Sequence, residues 1–209
     1  MNIAPRNVLE VYADIWCPFA HVGLRRVADR RNALAVDTHL RVHPWPLELV
    51  NGKPMDAAFI GEEVVEIREQ VAPDLFAHFD ESAFPATTLP ALALVESAYA
   101  MDIDTGERMS LALRDALFEQ GRCIDDPAVL AELADALGVP PATDEHAAAV
   151  LTSWQQGRDR GVVGSPHFFT SDGNFFCPAL DITRVDGHLQ MAPKADVFDA
   201  FVAAAIGTA

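Results

Sequence analysis

The stretch DIWCPFAHVGLRRV, residues 14–27, places a cysteine and a proline where an apolar strand turns into a helix. The preceding residues 8–13, VLEVYA, alternate in character and carry β-branched and aromatic side chains, which predicts a strand. Pro18 suits a first helical turn, because the N–H that it lacks would have no partner there. From Phe19 onward, apolar residues recur at helical spacing. The stretch therefore predicts a strand, a turn at Cys17 and a helix.

A cysteine at the start of a helix has a physical route to reactivity. The thiolate is the reactive form, and an unperturbed thiol with a pKa of about 8.5 is mostly protonated at neutral pH. The unpaired N–H groups of a helix N-terminus stabilise an anion, and His21 lies one turn further along on the same face. We therefore expect Cys17 to be a nucleophile with a lowered pKa, assisted by His21. The alternatives are a small buried hydrophobic residue for Cys17 and a packing or surface role for His21.

Composition and charge narrow the classes of function. The chain has 209 residues, half of them hydrophobic and 22% charged, which is typical of a globular protein with a sizeable core. The net charge of −16 repels phosphate backbones, so we expect no nucleic-acid partner. No apolar run reaches the ~18 residues that cross a bilayer, and the N-terminus lacks the pattern of a secretion signal. We therefore expect a cytoplasmic protein with no membrane partner.

The three cysteines do not form a recognisable scaffold. Cys17, Cys123 and Cys177 are an odd number in a chain without a secretion signal, which argues against a disulfide framework. No two of them are close enough in sequence for a zinc knuckle, and Cys17 with His21 supplies too few ligands, so no metal site is expected. Cys123 follows Gly121-Arg122 at a helix junction and is interpreted as structural.

The remaining pattern predicts an interrupted α/β fold. Residues 36–42 read as a second strand, and a strand–helix–strand unit gives a parallel pair. Stretches rich in Ala, Leu and Glu follow, with helical periodicity, and Asp172-Gly173 between two aromatic runs predicts a hairpin before a last helix. We predict a mixed sheet with a large all-helical insertion. Residues 1–50 and 160–209 would form one discontinuous domain, with residues 51–159 inserted as a helical domain.

A second short stretch, GVVGSPHFF at residues 161–169, also points to a site. Ser165-Pro166 leads directly into an apolar strand, which is unusual because proline removes a donor from the strand ladder. A cis peptide bond would account for it, and the polar backbone groups of Ser165 would then be available to an extended ligand. The alternative is a trans proline at the start of an edge strand, which is the commoner form.

Taken together, these motifs resemble the DsbA-like branch of the thioredoxin superfamily along almost the whole chain. That branch includes FrnE-like cytosolic oxidoreductases, kappa-class glutathione transferases and 2-hydroxychromene-2-carboxylate isomerases. DIWCPFAHVG resembles its D-x-x-C-P-W-C-x-x-G site, and HPWPLEL resembles its post-strand Pro-Phe-x-Leu element. ALFEQGRCIDDPAVLAELADALG is similar to a helical-insert segment of these proteins, and GVVGSPHFF looks like their cis-proline loop. The resemblance implies a thioredoxin-like fold.

The resemblance also implies roles for individual residues. Cys17 matches the nucleophile, Ser165 the position that contacts the bound thiol or peptide, and Pro166 the cis-proline. The chain departs from the dithiol members at Ala20, where they carry the resolving cysteine, so Cys17 lacks its usual partner. It also departs from the isomerase and transferase members, which carry serine where this chain has Cys17.

Three mechanisms remain open. In the first, a monothiol CPFA site forms a mixed disulfide, and glutathione or mycothiol, as a co-substrate that is not tightly bound, completes the exchange with a small-molecule or protein disulfide. In the second, Cys177 resolves the mixed disulfide, although core packing is its simpler explanation. In the third, a bound thiol is itself the reagent of an isomerase or transferase. Pro18 would then contact the substrate, and aromatic side chains would line an apolar slot: Trp16, Phe19 and Trp45. The alternative for these aromatic residues is core packing.

A non-catalytic, peptide-binding module is a fourth alternative, in which the cis-proline groove binds a peptide and no chemistry follows. The rate at which iodoacetamide labels Cys17 would separate it from the enzymatic alternatives. The sequence leaves a homodimer open.

Overall fold

The structure is a computed structural model that describes residues 7–206. Strands and helices alternate at first, a run of helices follows, and two hairpins and a helix close the chain. The elements are β1 (Asn7–Ala13), α1 (Pro18–Leu34), β2 (Thr38–Pro44), α2 (Leu47–Asn51), α3 (Ala57–Gln70), a 3-10 turn (Glu81–Ala83), α4 (Leu89–Met101), α5 (Ile103–Phe118), α6 (Pro127–Leu137), α7 (Asp144–Asp159), β3 (His167–Thr170), β4 (Gly173–Phe176), β5 (Leu180–Val185), β6 (His188–Pro193) and α8 (Ala195–Ile206).

The main sheet has four strands in the order β2-β1-β3-β4. β1 and β2 are parallel, with Val11 opposite Val42, and β3 runs antiparallel to β1, with Val11 opposite Phe168. β3 and β4 form the hairpin that the Asp172-Gly173 pair predicts. The predicted thioredoxin-like mixed sheet with a helical insertion is therefore confirmed.

Side chains alternate across β1, and this alternation divides the core. Leu9, Val11 and Ala13 belong to a buried apolar cluster that includes Cys17, whereas Tyr12 belongs to a separate cluster on the other face. The first strand therefore separates the surroundings of Cys17 from a second packed layer.

The inserted helices share a core with the thioredoxin-like part. The largest buried cluster combines Ile15, Trp16 and Cys177 with apolar residues of the helical segment such as Ile60 and Leu113. The division into a discontinuous domain and an inserted domain at residues 51–159 stays a prediction, and the shared core shows that the two parts are packed as one unit. No helix within residues 7–206 has the length and apolar character that a bilayer crossing requires.

The hairpin of β5 and β6 was not predicted. The pair is antiparallel, with Val185 opposite His188. Asp186 and Gly187 turn the chain with positive φ values of 51° and 90°, the geometry that Asp-Gly pairs favour in two-residue hairpin turns. The signal at Asp186-Gly187 is the same as the one at Asp172-Gly173, but it lies between runs with fewer aromatic residues.

A close contact between α4 and α5 shows how tightly the inserted helices are packed. A Cβ atom added at Gly106 would overlap the ring of Tyr99. The Tyr99 hydroxyl donates to Leu40 O and accepts from Val42 N, both at 2.9 Å, so the ring is held against β2.

We expect Gly106→Ala to lower the free energy of unfolding by about 2–3 kcal/mol, because Tyr99 must move to make room. Urea denaturation followed by circular dichroism measures the change. Arg108→Ala, at an exposed position of the same helix, is the control and should change stability by less than about 0.5 kcal/mol. Equal stability of the two variants would contradict this packing.

Candidate active site

Cys17 lies at the junction between β1 and α1. It is the N-cap residue of α1, with φ −81° and ψ 112°, and Pro18 occupies the first helical position, as the sequence predicts. The Cys17 carbonyl accepts the first helical hydrogen bond, from His21 N at 3.1 Å. The Cys17 thiol donates to the carbonyl oxygen of Ser165 at 3.1 Å. The sulfur therefore faces a loop that lies far away in the sequence.

That loop is attached to the site at several atoms. The Ser165–Pro166 peptide bond is cis, and the Ser165 hydroxyl accepts a hydrogen bond from Asp14 N at 3.0 Å. A Cβ atom added at Gly23 would lie 3.2 Å from Cγ of Pro166, so the proline ring packs closely on α1. The structure thus brings Cys17, Ser165 and Pro166 together, although they are about 150 positions apart along the chain.

The predicted lowering of the Cys17 pKa is wrong. Cys17 is only 5% exposed, and burial raises the pKa of its thiol to about 11. The hydrogen bonds of Cys17 with the Ser165 side chain and with the Ala20 amide lower the pKa but do not outweigh burial. The nearby carboxylates of Glu63 and Asp14 raise the pKa further. In this conformation Cys17 is a protonated thiol.

Two buried carboxyl groups near Cys17 were missed in the sequence. Burial raises the pKa of Asp14 to about 6, against the amides of Leu47 and Ile15. Burial raises the pKa of Glu63 to about 7, against the guanidinium of Arg184, whose nitrogen lies 2.7 Å from the Glu63 carboxylate. Asp14 stands three residues before the cysteine. Glu63 falls within the helical spacing of the buried residues Ile60, Val64 and Ile67, which is the signal that it faces the core.

A buried arginine from the insertion supports the end of β1. Arg114 of α5 is 1% exposed, and one of its terminal nitrogens donates to Asp14 O at 3.1 Å. The other donates to the carbonyl and the hydroxyl of Ser110, at 2.8 Å and 2.7 Å. The carbonyl just before the active-site turn therefore depends on a helix of the insertion. A lone arginine in a helical run gave no sequence signal for this role.

The contacts of His21 lie with Glu119 and two aromatic rings, so its predicted assistance to Cys17 stays a prediction without a contact to support it. Its Nε2 lies 2.6 Å from Glu119 Oε1, and its ring packs on Phe76 and Phe118, with centroids 5.2 Å and 5.1 Å away. Burial lowers the pKa of His21, so the ring is neutral near pH 7. Burial alone would raise the pKa of Glu119, but hydrogen bonds from His21 and from the Phe76 and Ala77 amides outweigh it and lower the pKa to about 2. The geometry assigns His21 to the core of the insertion.

The aromatic residues predicted to line a substrate slot are separated. Trp45 is 4% exposed and clusters with Tyr12 on the face of β1 opposite Cys17, so the geometry does not bring it to the sulfur. Trp16 is fully buried and stacks on Phe84, 5.8 Å between centroids. Phe19 is partly buried and packs against both large apolar clusters. The substrate-binding roles of Pro18, Phe19 and Trp45 stay predictions, and Trp45 has the least support.

The other two cysteines have different surroundings, and all three thiols are free. Cys177 is buried and its amide donates to Pro166 O at 3.0 Å, whereas the Cys123 thiol bonds to the Asp125 carboxylate at 2.8 Å. Among residues 7–206 there is no group of three or more His, Cys, Asp or Glu side chains placed to hold a metal ion.

Comparison with known proteins agrees with this geometry. The family model of the DSBA-like thioredoxin domain matches residues 8–190, which include both motifs of the site. A search of curated proteins found no match.

Solved structures share the fold at low sequence identity. The chain is similar to a cytosolic disulfide reductase, DsbM from Pseudomonas aeruginosa, at 19% identity and a TM-score of 0.61, covering 94% of this chain and 95% of that one. DsbM has also been solved with GSH. A putative protein disulfide isomerase from Nitrosomonas europaea gives 16% identity and 0.63, covering 94% and 98%. A 2-hydroxychromene-2-carboxylate isomerase gives 15% and 0.59, covering 81% and 88%.

The raised pKa of Cys17 is directly measurable. We expect the ¹³Cβ resonance of Cys17 in cysteine-labelled protein to keep its thiol shift up to about pH 9, because the buried sulfur resists ionisation. Cys17→Ser identifies the resonance, and the urea-unfolded chain should titrate near its ordinary pKa of about 8.5. Since the folded pKa is the higher one, the stability from this group is present below the unfolded value and is lost as the pH rises through about 11. Titration of folded Cys17 below pH 8 would contradict the burial.

The contacts of His21 predict that its substitution changes the stability of the protein and leaves the pKa of Cys17 unchanged. We expect His21→Ala to lower the free energy of unfolding by about 2–4 kcal/mol, through lost packing and an unpaired Glu119. His21→Gln, which can still donate to Glu119, should recover part of this loss. In both variants the titration of Cys17 should be unchanged. A shifted Cys17 pKa in the glutamine variant, at preserved stability, would return His21 to the catalytic machinery.

Proposed function

The chain belongs to the family of DSBA-like thioredoxin domains, and we propose that it is a thiol–disulfide oxidoreductase with Cys17 as its nucleophile. One observation carries the proposal: the Cys17 thiol donates to the carbonyl of Ser165, the residue before cis-Pro166. A sulfur held against that carbonyl lies beside backbone groups that can orient an extended disulfide substrate. Among residues 7–206, the three free cysteines are Cys17, Cys123 and Cys177, and only Cys17 opens a helix.

The exchange requires two displacements at sulfur. The Cys17 thiolate attacks one sulfur of a disulfide R–S–S–R′, forms Cys17–S–S–R and releases R′–S⁻, which takes up the proton that Cys17 lost. A low-molecular-weight thiol G–SH then attacks the R sulfur as its thiolate. It forms G–S–S–R and returns Cys17 to the thiol. The net reaction of R–S–S–R′ with G–SH gives G–S–S–R and R′–SH, so sulfur, protons and electrons balance.

The buried thiol must be exposed before it can react. Burial is the largest cause of the raised Cys17 pKa, whereas the hydrogen bonds with Ser165 and the Ala20 amide lower it. When the chain opens to admit a disulfide, the cost of desolvation falls and the lowering contacts at the helix start remain. We propose that the thiolate forms in this open state, so that the resting protein is protected from alkylation and oxidation.

The same pKa favours the reducing direction. A strong thiol oxidant is one whose reduced form is stabilised, and a low cysteine pKa supplies that stabilisation at pH 7. With a thiol pKa of about 11, Cys17 lacks this stabilisation. Because Ala20 occupies the position of the second cysteine, Cys17 also has no partner within its own motif with which to form a disulfide. Both features support a disulfide reductase over a dithiol oxidant.

Glutathione or mycothiol is the proposed co-substrate. One structural neighbour is named a cytosolic disulfide reductase and has been solved with GSH. At 19% identity this similarity shows only the fold, but it makes a small thiol and a cytoplasmic location the first hypotheses to test for this chain. A small-molecule or protein disulfide would be the second substrate.

A thiol-dependent isomerase or transferase is the second candidate. The observation in its favour is Ala20: a site with one sulfur can also serve as a holding point for a bound small thiol that is itself the reagent. In that case Cys17 would not form a covalent bond during turnover, and its substitution by serine would be tolerated.

Replacement of the nucleophile separates the two candidates. We expect Cys17→Ser to lower the glutathione-dependent or mycothiol-dependent reduction of a mixed disulfide by at least about 100-fold, because the covalent intermediate is lost. Cys123→Ser, which removes a thiol bonded to Asp125 instead of Ser165, is the matched control and should keep full activity. Retained activity in Cys17→Ser would reject the covalent mechanism and favour the isomerase-like alternative. Wild-type protein that never forms a Cys17 adduct would favour a peptide-binding module.

A further inference from the structure

We propose that Cys177 is the resolving cysteine of this site: it displaces the thiol bound to Cys17 and closes a Cys17–Cys177 disulfide across the cis-proline loop. The inference rests on the proposed function, because it needs a mixed disulfide on Cys17. It replaces a purely monothiol cycle with a dithiol cycle whose two cysteines are far apart in the sequence.

Consecutive carbonyl groups hold the two cysteines. The Cys17 thiol donates to Ser165 O at 3.1 Å, and the Cys177 amide donates to Pro166 O at 3.0 Å. Both cysteines are thus attached to neighbouring residues of one loop, although their side chains belong to different apolar clusters. Burial and, second to it, the charge of a nearby Cys17 thiolate raise the pKa of Cys177 to about 12, so the two sulfurs interact electrostatically.

The backbone at Cys177 has a conformation that cysteine seldom adopts. Its φ of 44° lies in the left-handed region, where side chains other than glycine are strained by about 1–3 kcal/mol. The position follows directly after β4, and its carbonyl accepts from Leu180 N at 3.4 Å, which closes the turn toward β5. Glycine would adopt this conformation without strain. This turn therefore carries a thiol at a cost in backbone conformational energy that glycine would avoid.

The chemistry balances without a further oxidant. In Cys17–S–S–R, the Cys177 thiolate attacks the Cys17 sulfur, the S–S bond to R breaks, and R–S⁻ leaves and takes the proton of Cys177. The substrate disulfide has then been reduced to two thiols and the protein oxidised to Cys17–Cys177. Two molecules of a low-molecular-weight thiol restore the protein: the first opens the protein disulfide, and the second releases the first as its disulfide.

Burial favours the product of this step. Both thiols have raised pKa values because an ionised sulfur would be poorly solvated where they lie. A disulfide between them has no ionisable group, so the desolvation that disfavours either thiolate does not oppose the bond. The open state forms the thiolates, and the closed state accommodates the disulfide.

Peptide mapping after exposure to glutathione disulfide tests the proposal. Reduced wild-type protein is treated with glutathione disulfide, remaining thiols are blocked, and non-reduced peptides are identified by mass spectrometry. We expect a bridged Cys17–Cys177 peptide in the wild type and in Cys123→Ser. In Cys177→Ser, we expect a glutathione adduct on Cys17 that is about tenfold more abundant than in the wild type, because intramolecular attack no longer removes it.

A second variant, Cys177→Gly, serves the same test in the event that Cys177→Ser does not fold. Glycine relieves the left-handed strain, which offsets part of the packing lost with the buried side chain, so this variant should fold and should still accumulate the adduct. Equal adduct on Cys17 in the wild type and both Cys177 variants, with no bridged peptide, would overturn the inference and leave the monothiol cycle. No adduct on Cys17 in any of these proteins would overturn the proposed function, and the inference with it.

Discussion

The site depends on the way that Ser165 joins two distant segments. Its hydroxyl accepts the Asp14 amide, and its carbonyl accepts the Cys17 thiol. One residue thereby attaches the end of β1 and the start of α1 to the loop before β3, and Pro166 continues the same connection to the Cys177 amide. The parallel β1–β2 pair and the antiparallel β3 place the two segments side by side. Without this junction, the cysteine would only be the first residue of a helix.

Burial dominates the electrostatics of the site. A helix N-terminus stabilises an anion by an amount of order 1 kcal/mol, whereas removal of an ionised sulfur from water costs considerably more. The pKa of the Cys17 thiol rises for that reason, and two neighbouring carboxyl groups, on Asp14 and Glu63, act in the same direction. The same balance applies to His21, which is neutral although it faces the Glu119 carboxylate. In the conformation described here, burial therefore keeps both Cys17 and His21 in their uncharged forms.

Local signals predicted the fold well and the electrostatics poorly. The strand before Asp14, the helix from Pro18 and the Asp172-Gly173 hairpin follow from alternation, proline placement and turn chemistry, which are local properties of the chain. The second hairpin at Asp186-Gly187 carried a similar signal. The pKa of Cys17 depends on what α3 and the loop before β3 place around it, and no local pattern encodes that arrangement. His21 has the expected spacing, but the aromatic rings of the insertion, remote in sequence, determine where its ring points.

The hydrogen bond between Arg114 and the Asp14 carbonyl makes the thiol site depend on the inserted helices. A thioredoxin-like sheet excised from its inserted helices would keep the cysteine and both motifs, yet the carbonyl of Asp14 would lose its only guanidinium donor within the described residues 7–206. The helices thus contribute directly to the thiol site, because one of them supplies the guanidinium that holds the end of β1.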